Sequence, residues 1–551
     1  MTEEESQEEN SKTGRSQSRD FARYGTRFIT VTDREPPGAL PIEPFDTLPD
    51  RVIQLLSSRE GLHELPPHKI LSEVFQSEQL DGANVQLLLE ILPARAAALA
   101  AAKDTAAPSS ISRDASTFQA EQERRPIFNG RPAQRCGPSV TLYHPAFAAF
   151  VEAMDALDAI APSEEELRLS GRLLSASSQI LSSESARIQS TKGPIQELLA
   201  VPLFKRPLTD DQREADAYAS QPLTTPGEEA LVAYIEWTPE LGQSGDPGLK
   251  ISALYRDHVF QDAYTSIRNA SSCPCVLLAL AGPYMCVLGA VLTPRPVVEH
   301  LTEYIYIGAG PRTHARTTLV ARMFHALRTA VAALQAEYAA LARREAPDNS
   351  ALFPRPSFRD ALTADERAVV TGLAYESWFA YEGKADDDVR RAMFLARLRG
   401  AAVVVKFCEA YSADAHRLLA AHGLAPALHL CAALRGGLHM VVMARVAGET
   451  AFRRFRTVDA ALRPTEAPLA SAVRADVRRA LALLHAAGLV FGDLRRPNVM
   501  VVSTDGRDGA MLVDFDWAGR EGQARYPPMI NDGGEIKWAA GVCVSAVDLS
   551  T

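Results

Sequence analysis

Hydrophobic and polar positions follow different patterns along this chain, and the changes of pattern divide it into segments. Residues 1–45 are polar and aperiodic and contain Pro, which predicts a disordered, acidic N-terminus. Over 46–110 apolar residues recur at helical spacing and run into an Ala-rich stretch, so this segment is predicted to be helical. Residues 111–140 lose this periodicity and are predicted to form a linker.

The pattern changes to mixed strands and helices over 141–345. Leu231–Trp237 alternates and is rich in strand formers, whereas Thr317–Leu341 has apolar positions three and four residues apart, as in an amphipathic helix. Between them, Cys275–Leu292 carries no charge over eighteen residues, the threshold length for a membrane-spanning helix. Gly282-Pro283 would break such a helix, and the flanking pieces are of strand length. The sequence therefore predicts a buried hairpin in a mixed α/β domain, and no membrane span.

A Pro-rich linker is predicted over 346–360, and the remaining segment, 361–551, begins a new pattern. In that segment the β-rich runs Met393–Leu398 and Ala401–Phe407 are separated by Arg399-Gly400, a turn sequence. The two runs are therefore predicted to pair as a hairpin.

Length and composition narrow the possible classes of protein. A chain of 551 residues exceeds what one hydrophobic core can bury, so three or four structural units are expected. The net charge of −10 disfavours a nucleic-acid partner, because phosphates require a basic face. Seven unevenly spaced cysteines fit a reducing compartment, and no apolar targeting segment is visible at the N-terminus. We therefore expect an intracellular protein, of cytoplasm or nucleus, without a signal peptide.

The candidate chemistry is concentrated towards the end of the chain. Apolar residues recur at helical spacing over 469–484 and predict an amphipathic helix that ends at Gly488. Asp493 is then in the loop that follows this helix. Asn498 lies five residues further on, and a short apolar strand ends at Asp514. Phosphoryl transfer requires these groups, since one carboxylate orients the attacking hydroxyl while an amide oxygen and a second carboxylate hold Mg²⁺.

The spacing D-x4-N, followed by an apolar strand and D-F, resembles the catalytic loop and the metal-binding motif of protein kinases. The resemblance implies that Asp493 is the catalytic base and that Asn498 and Asp514 are the metal ligands. It also implies a two-lobed protein-kinase-like domain over 361–551 that uses ATP and Mg as cofactors.

Residues upstream of the loop extend this resemblance. The run AVVVKF resembles the strand whose lysine contacts the α- and β-phosphates of ATP, which makes Lys406 a cofactor-binding candidate. The next helix offers Asp414 as the acidic partner of that lysine, with Glu409 at the strand end as an alternative. The strand that ends at Met443 resembles the one leading into the adenine hinge, so Met443 is a further cofactor-binding candidate.

More narrowly, the segment is similar to a family of kinase-like domains abundant in mushroom-forming fungi, through VVVKF, AHRLLAAHGLAP, GDLRRPN and ARYPPMIN. It departs from an ordinary kinase in several places. No G-x-G-x-x-G precedes Lys406, and the nearest glycine lies in Glu382-Gly-Lys-Ala-Asp. The HRD motif is replaced by Phe491-Gly492-Asp493, and only 37 residues follow Asp514, which predicts a short C-lobe.

The stretch VAYIEWTPELGQSGDPGL resembles a segment that those proteins carry before the kinase, and through it restriction-endonuclease-like folds. In those folds a strand bears a Glu-x-Lys pair for metal-dependent hydrolysis. Here Glu236-Trp-Thr238 lacks the lysine, and Lys250 is distant in sequence. The resemblance therefore implies a degenerate nuclease-like domain with a binding or scaffolding role.

The sequence thus predicts a multidomain α+β protein, in which an N-terminal helical region and a mixed α/β domain precede the kinase-like domain. The leading hypothesis is an ATP- and Mg-dependent kinase of protein Ser/Thr hydroxyls, with a protein substrate. A pseudokinase scaffold or nucleotide-binding module is the alternative. The Gly-Asp-Leu form of the loop also resembles aminoglycoside and choline kinases, so a small-molecule kinase remains open. Nucleic-acid processing through Glu236 is disfavoured by the missing lysine and the acidic net charge.

Overall fold

The computed structural model describes residues 26–31, 62–64, 87–91, 106–205, 215–342, 349–379, 392–458, 464–504 and 506–527. The chain divides into two compact units. The first comprises Met1–Ala106 and Ser116–Pro126, and the second Ala107–Ala115 and Ile127–Thr551.

The described part of the first unit contains a small antiparallel sheet, where the sequence predicted disorder and helix. Its strands are β1 (Thr26–Val31), β2 (Leu62–Glu64) and β3 (Leu87–Ile91), in the order β2-β1-β3. Strand β1 falls within the segment predicted to be disordered, and β2 and β3 fall within the one predicted to be helical. A short uninterrupted apolar run such as LLLEI suits a helix or a strand equally well. This run forms a strand because it pairs with β1, which contains several β-branched residues.

Residues 111–140 are structured rather than a linker. They include the end of α1 (Pro108–Arg113) and the whole of α2 (Ala115–Arg124). Further on, Phe128 forms a β-bridge with Val297 and is 1% exposed. The sequence pattern did not reveal this buried residue, because a single buried aromatic side chain gives no periodic signal.

The α/β region of the second unit is built on a mixed six-stranded sheet. Its helices are α3 (Pro145–Asp155), α4 (Glu164–Ser177), α5 (Glu184–Leu199), α6 (Pro247–Val259), α7 (Thr265–Ala270) and α8 (Thr313–Ala339). Its strands are β4 (Ala217–Pro222), β5 (Glu229–Thr238), β6 (Cys275–Ala281), β7 (Tyr284–Leu292), β8 (Pro296–His300) and β9 (Ile305–Tyr306). The sheet order is β4-β5-β6-β7-β8, with β9 also on β7. Only the β5–β6 pair is parallel among these described strands.

The uncharged stretch forms the predicted buried hairpin. Strands β6 and β7 pair from Cys275 opposite Ala290 to Ala281 opposite Tyr284, in the middle of the sheet. Gly282 makes the turn with a φ of 55°, a conformation that favours glycine. No described helix combines the length and the apolar character that crossing a membrane demands.

Lys250 lies close to Glu236 in space although it is distant in sequence. The two side chains form an ion pair. Helix α6 follows β5 directly and packs on it, which returns the first turn of the helix to the strand.

The described part of the Pro-rich stretch, residues 349–360, packs against its surroundings instead of separating two units. The Arg355 amide donates to the Leu142 carbonyl at 2.7 Å, and Phe358 forms a β-bridge with Leu434. The regions on either side belong to the same compact unit. Proline content indicated a spacer, but it also suits a chain held in extended conformation on a surface.

The region after 361 carries a five-stranded antiparallel sheet in the order β10-β11-β12-β14-β13. Its first elements are α9 (Ala364–Thr371), β10 (Leu373–Trp378), β11 (Met393–Leu398), β12 (Ala401–Cys408), α10 (Ala413–Ala421), β13 (Leu428–Ala433) and β14 (His439–Ala444). The elements that follow are β15 (Glu449–Thr450), α11 (Ala451–Arg454), β16 (Arg456–Val458), β17 (Pro464–Glu466), α12 (Ser471–Ala486), β18 (Leu489–Val490), β19 (Val499–Thr504), β20 (Arg507–Leu512) and β21 (Gly519–Arg520).

Two local predictions for this region are confirmed. Strands β11 and β12 pair from Met393 opposite Lys406 to Leu398 opposite Ala401, around the turn Arg399-Gly400. Helix α12 ends just before Gly488, whose φ is 66°. The predicted glycine-poor loop at Glu382 and the end of the expected short C-lobe, 528–551, lie outside the described residues.

Candidate active site

A cavity of about 460 Å³ opens against one face of the five-stranded sheet. Val404 of β12 and Met443 of β14 contribute to its wall. Val513, the residue before Asp514, lines the cavity as well. Side chains two apart on a strand share a face, so Lys406 lies on the same face of β12 as Val404. The apolar cavity therefore extends towards the charged residues of the site.

Lys406 lies between two carboxylates at the centre of this site. Its Nζ atom is 2.7 Å from Asp514 Oδ1 and 2.7 Å from Asp516 Oδ2. Burial alone would lower the pKa of Lys406, but the two carboxylates raise it above its usual value. The lysine is therefore a fixed cation in direct contact with Asp514.

The two carboxylates differ in charge state although they share one lysine. Burial tends to raise the pKa of Asp514, but Lys406 overcomes this and holds it below its usual value. Burial and the neighbouring Asp514 instead raise the pKa of Asp516 to about 7. Asp514 is thus the firmly ionised member, as a cation ligand must be. It also has a φ of 72°, in the left-handed region that Asp tolerates better than most residues.

The loop after α12 holds Asp493 through two of its neighbours. The Asn498 amide nitrogen donates to Asp493 Oδ2 at 2.7 Å and to its carbonyl at 3.0 Å. The Arg495 guanidinium forms a bidentate pair with the same carboxylate, with Nη2 at 2.6 Å from Oδ2. Because Asn498 donates through nitrogen, its amide oxygen is the atom that a cation would take. Asp493 is 4% exposed, so its position is well determined by these contacts.

Backbone contacts join this loop to the strand that carries Asp514. The Val513 amide donates to the Asn498 carbonyl at 3.0 Å. Gly492 has a φ of 80°, and a Cβ atom there would lie 2.5 Å from the Trp517 carbonyl oxygen. Glycine is therefore required before Asp493, since a larger residue would push the loop away from the strand.

Phe515 fixes the orientation of the strand end on which Asp514 lies. It is fully buried, stacks on His416 at 4.6 Å and meets the edge of Phe491 at 5.3 Å. Its carbonyl accepts a hydrogen bond from the Ser412 amide at 3.1 Å. Phe491 thus has a packing role in the segment Phe491-Gly492-Asp493.

The structure does not place Asp414 against Lys406. Asp414 is exposed in the first turn of α10, and Lys406 pairs instead with Asp514 and Asp516. Residues two apart on a helix are about 200° apart around its axis. His416 faces inward onto Phe515, so Asp414 faces outward. Glu409 likewise makes no ion pair with Lys406 in the part of the chain that is described.

Sequence reasoning missed two residues of the site. Asp516 is the second partner of Lys406, and Arg495 is the partner of Asp493. Both were visible as charges two residues after a candidate site residue. Closeness in sequence to those two candidates is the signal that could have identified them.

The residues present fit a magnesium ion that is shared with phosphate oxygens. Within the described residues, no group of three or more His, Cys, Asp or Glu side chains could hold a metal. Mg²⁺ is commonly bound through one or two carboxylates together with phosphates and water. Asp514 and the Asn498 amide oxygen meet that requirement.

His416 makes the stability of this region depend on pH. Burial lowers its pKa from 6.5 to about 4, and the ring bonds Tyr411 at 2.7 Å and the Pro426 carbonyl at 2.8 Å. The unfolded chain therefore binds more protons between these pKa values, and stability falls as the pH falls through that window. We expect a loss on the order of 3 kcal/mol between pH 7 and pH 4.

Chemical denaturation at several pH values tests this expectation. His416→Gln should flatten the dependence between pH 6.5 and 4, whereas His422→Gln, on an exposed histidine just after the same helix, should not. An unchanged pH dependence in His416→Gln would contradict it.

Comparison with known proteins finds no family model and no curated protein that matches the sequence. Among solved structures, the chain is similar to the PK-1 kinase of Cydia pomonella granulovirus, at 15% identity and a TM-score of 0.22, over 28% of this chain and 55% of that one. It is also similar to the PknI kinase domain of Mycobacterium tuberculosis, at 22% identity and a TM-score of 0.17, over 22% of this chain and 53% of that one. The chain thus spans about half the length of each of these two kinases. Superpositions this partial carry no argument about function, which rests on the geometry of the site.

Proposed function

We propose that the region 361–551 is an ATP- and Mg-dependent phosphotransferase of the protein kinase type. The observation that carries the proposal is the ion pair of Lys406 with Asp514 beside an apolar cavity, with the Asp493–Asn498 pair joined to the same strand. These residues are far apart in sequence, and none of their contacts is needed to bury apolar surface. The convergence of these residues therefore favours a catalytic role over a purely structural one.

Each residue would act through a stated atom. ATP supplies the phosphoryl group when bound, and Mg²⁺ neutralises its oxygens. Met443 and Val404 would pack on the base, since they line the apolar cavity. The Lys406 ammonium would hold phosphate oxygens, and Asp514 with the Asn498 oxygen would hold the metal.

Asp493 would accept the proton of the attacking hydroxyl at its carboxylate. Arg495 donates to both carboxylate oxygens and Asn498 donates to Oδ2, so Oδ1 keeps one lone-pair position for the acceptor hydroxyl. We propose a protein Ser/Thr hydroxyl as the acceptor, as the resemblance to protein kinases implies.

A pseudokinase scaffold is the second candidate, and one observation favours it. The charged groups of the site satisfy one another, since Lys406 has two carboxylates and Asp493 has both Arg495 and Asn498. A site whose charged groups are already paired with one another can serve to bind a partner without catalysing phosphoryl transfer.

Lys406→Met in the full chain tests the proposed function. A charge-assisted contact contributes about 1.5–3 kcal/mol, so we expect Mg-ATP affinity to fall about 10–100-fold by calorimetry. Turnover should fall as well, because the lysine would contact phosphates in both the ground and transition states.

Lys192→Met, on helix α5 of the α/β region, is the matched control and should bind Mg-ATP like the unmodified chain. Thermal melting of both variants separates a lost contact from a lost fold. Equal Mg-ATP affinity in Lys406→Met and the unmodified chain would rule out the proposed role of this lysine.

A further inference from the structure

Asp516 contacts Lys406, and the proposed reaction does not yet use it. The lysine Nζ atom is 2.7 Å from Asp516 Oδ2, the same distance as from Asp514 Oδ1. Asp514 is assigned to the metal and Asp493 to the proton of the acceptor hydroxyl. Asp516 is thus a carboxylate at the centre of the site that neither of these two tasks requires.

The carboxylate that protein kinases place beside this lysine is absent from its expected position. In those enzymes it comes from the helix that follows the lysine strand. Here Asp414 of that helix, α10, is exposed, and the exposed Glu409 makes no ion pair with Lys406 in the described ranges. Lys406 is only 9% exposed, and an ammonium buried to this extent needs an anionic partner. Another element therefore has to supply that partner.

The contact of Lys406 with Asp514 competes with the proposed metal. A Mg²⁺ ion on Asp514 would bring a divalent charge towards the ammonium, and the two cations would repel each other. Asp516 offers the ammonium a second carboxylate, at the same distance. Because a lysine ammonium has three N–H donors, one can stay on Asp516 while the other two contact phosphate oxygens. Lys406 thus keeps a charged partner when the metal and the nucleotide are bound.

The backbone next to Asp516 fixes the position of its carboxylate. The Phe515 carbonyl accepts hydrogen bonds from the amides of Ser412 at 3.1 Å and Ala518 at 3.3 Å, and the Phe515 ring is fully buried. The Asp516 Oδ1 atom is itself buried and has no hydrogen-bond partner within the described residues. Capping of a backbone segment therefore does not explain this carboxylate, whereas its ion pair with Lys406 does.

We propose that Asp516 is the positioning residue for Lys406, which it holds while Asp514 binds the metal, in place of a carboxylate from helix α10. This role rests on the phosphotransferase function proposed above. The partner of the lysine and the metal ligand then come from one segment, two residues apart. The Asp414 carboxylate is not needed for turnover.

Asp516→Asn in the full chain tests this role, because Asn has nearly the same shape without the charge. Asp514 remains beside Lys406 in this variant, so we expect it to fold. We expect calorimetric Mg-ATP affinity and the kcat/KM for ATP, with a generic protein acceptor, each to fall at least tenfold. The Mg²⁺ concentration that gives half-maximal turnover at saturating ATP should not change. Asp516→Glu, which keeps the charge, should recover most of the loss.

The same substitution in the Lys406→Met background separates positioning from a general effect on the fold. Asp516→Asn should cause no further loss of Mg-ATP affinity there, since Asp516 acts through the lysine. Asp414→Asn should retain the affinity and turnover of the unmodified chain. Asp508→Asn, on β20, where the carboxylate contacts Arg454, is the matched control and should also be neutral. Thermal melting of each variant checks that it is folded.

Four results would overturn the positioning role of Asp516. The first is unchanged Mg-ATP affinity and kcat/KM in Asp516→Asn, and the second is an equally large loss of affinity with and without Lys406. The third is a higher Mg²⁺ requirement in Asp516→Asn, which would make Asp516 a metal ligand. The fourth is a loss in Asp414→Asn as large as in Asp516→Asn. Failure of the unmodified chain to bind Mg-ATP would instead contradict the proposed function itself, and the positioning role with it.

Discussion

Asp493→Asn in the full chain is expected to lower turnover of Mg-ATP by about 10²–10⁴-fold, the usual contribution of a positioned base. Nucleotide affinity should change little, because Asp493 is assigned no contact with ATP and both proposed metal ligands are retained. The fold should also survive. Asn keeps an oxygen that accepts from Asn498, and the Arg495 side chain is 30% exposed, so water can solvate it when its partner loses charge.

Steady-state phosphorylation of generic protein and small-molecule acceptors, together with calorimetric Mg-ATP binding, is the measurement. Asp508→Asn makes the same chemical change on β20, where the carboxylate contacts Arg454, and should be neutral in both assays. If the unmodified chain binds Mg-ATP but turns over no faster than Asp493→Asn, the scaffold function replaces the enzyme. Transfer to small molecules alone would favour the small-molecule alternative.

Local sequence patterns predicted the elements that carry the site. Arg399-Gly400 between two β-rich runs was sufficient for the hairpin of β11 and β12, and Gly488 for the end of α12, because backbone conformation at such positions depends on a few neighbours. The resemblance to the motif order of protein kinases, not local physics, singled out Lys406 and Asp514, and the structure brings these two residues into contact.

Contacts that depend on tertiary geometry were not predictable in this way. Helix α6 returns Lys250 to Glu236 on β5, and residue spacing does not reveal this contact. The outward position of Asp414 depends on how α10 packs on Phe515. Helical periodicity over 46–110 was misleading for β3, since strand pairing overrides a weak local preference.

Asp514→Asn is expected to abolish measurable Mg-dependent binding of ATP and therefore turnover. The substitution removes the negative charge that would face a divalent cation, and Mg²⁺ binds a neutral amide far more weakly than a carboxylate. Lys406 keeps Asp516 as a partner at 2.7 Å, so the variant does not leave the buried ammonium without a partner.

Asn is the substitution of choice because position 514 has a φ of 72°, which Asn tolerates and Ala does not. A loss of binding in Asp514→Asn at an unchanged melting temperature can therefore be assigned to the missing charge. Calorimetry with ATP, with and without Mg²⁺, is the measurement, and Asp508→Asn again provides the control. Retention of Mg-dependent affinity in Asp514→Asn would show that the metal is held elsewhere. If the unmodified chain itself binds no nucleotide, then the Lys406–Asp514 pair stabilises the fold without serving phosphoryl transfer.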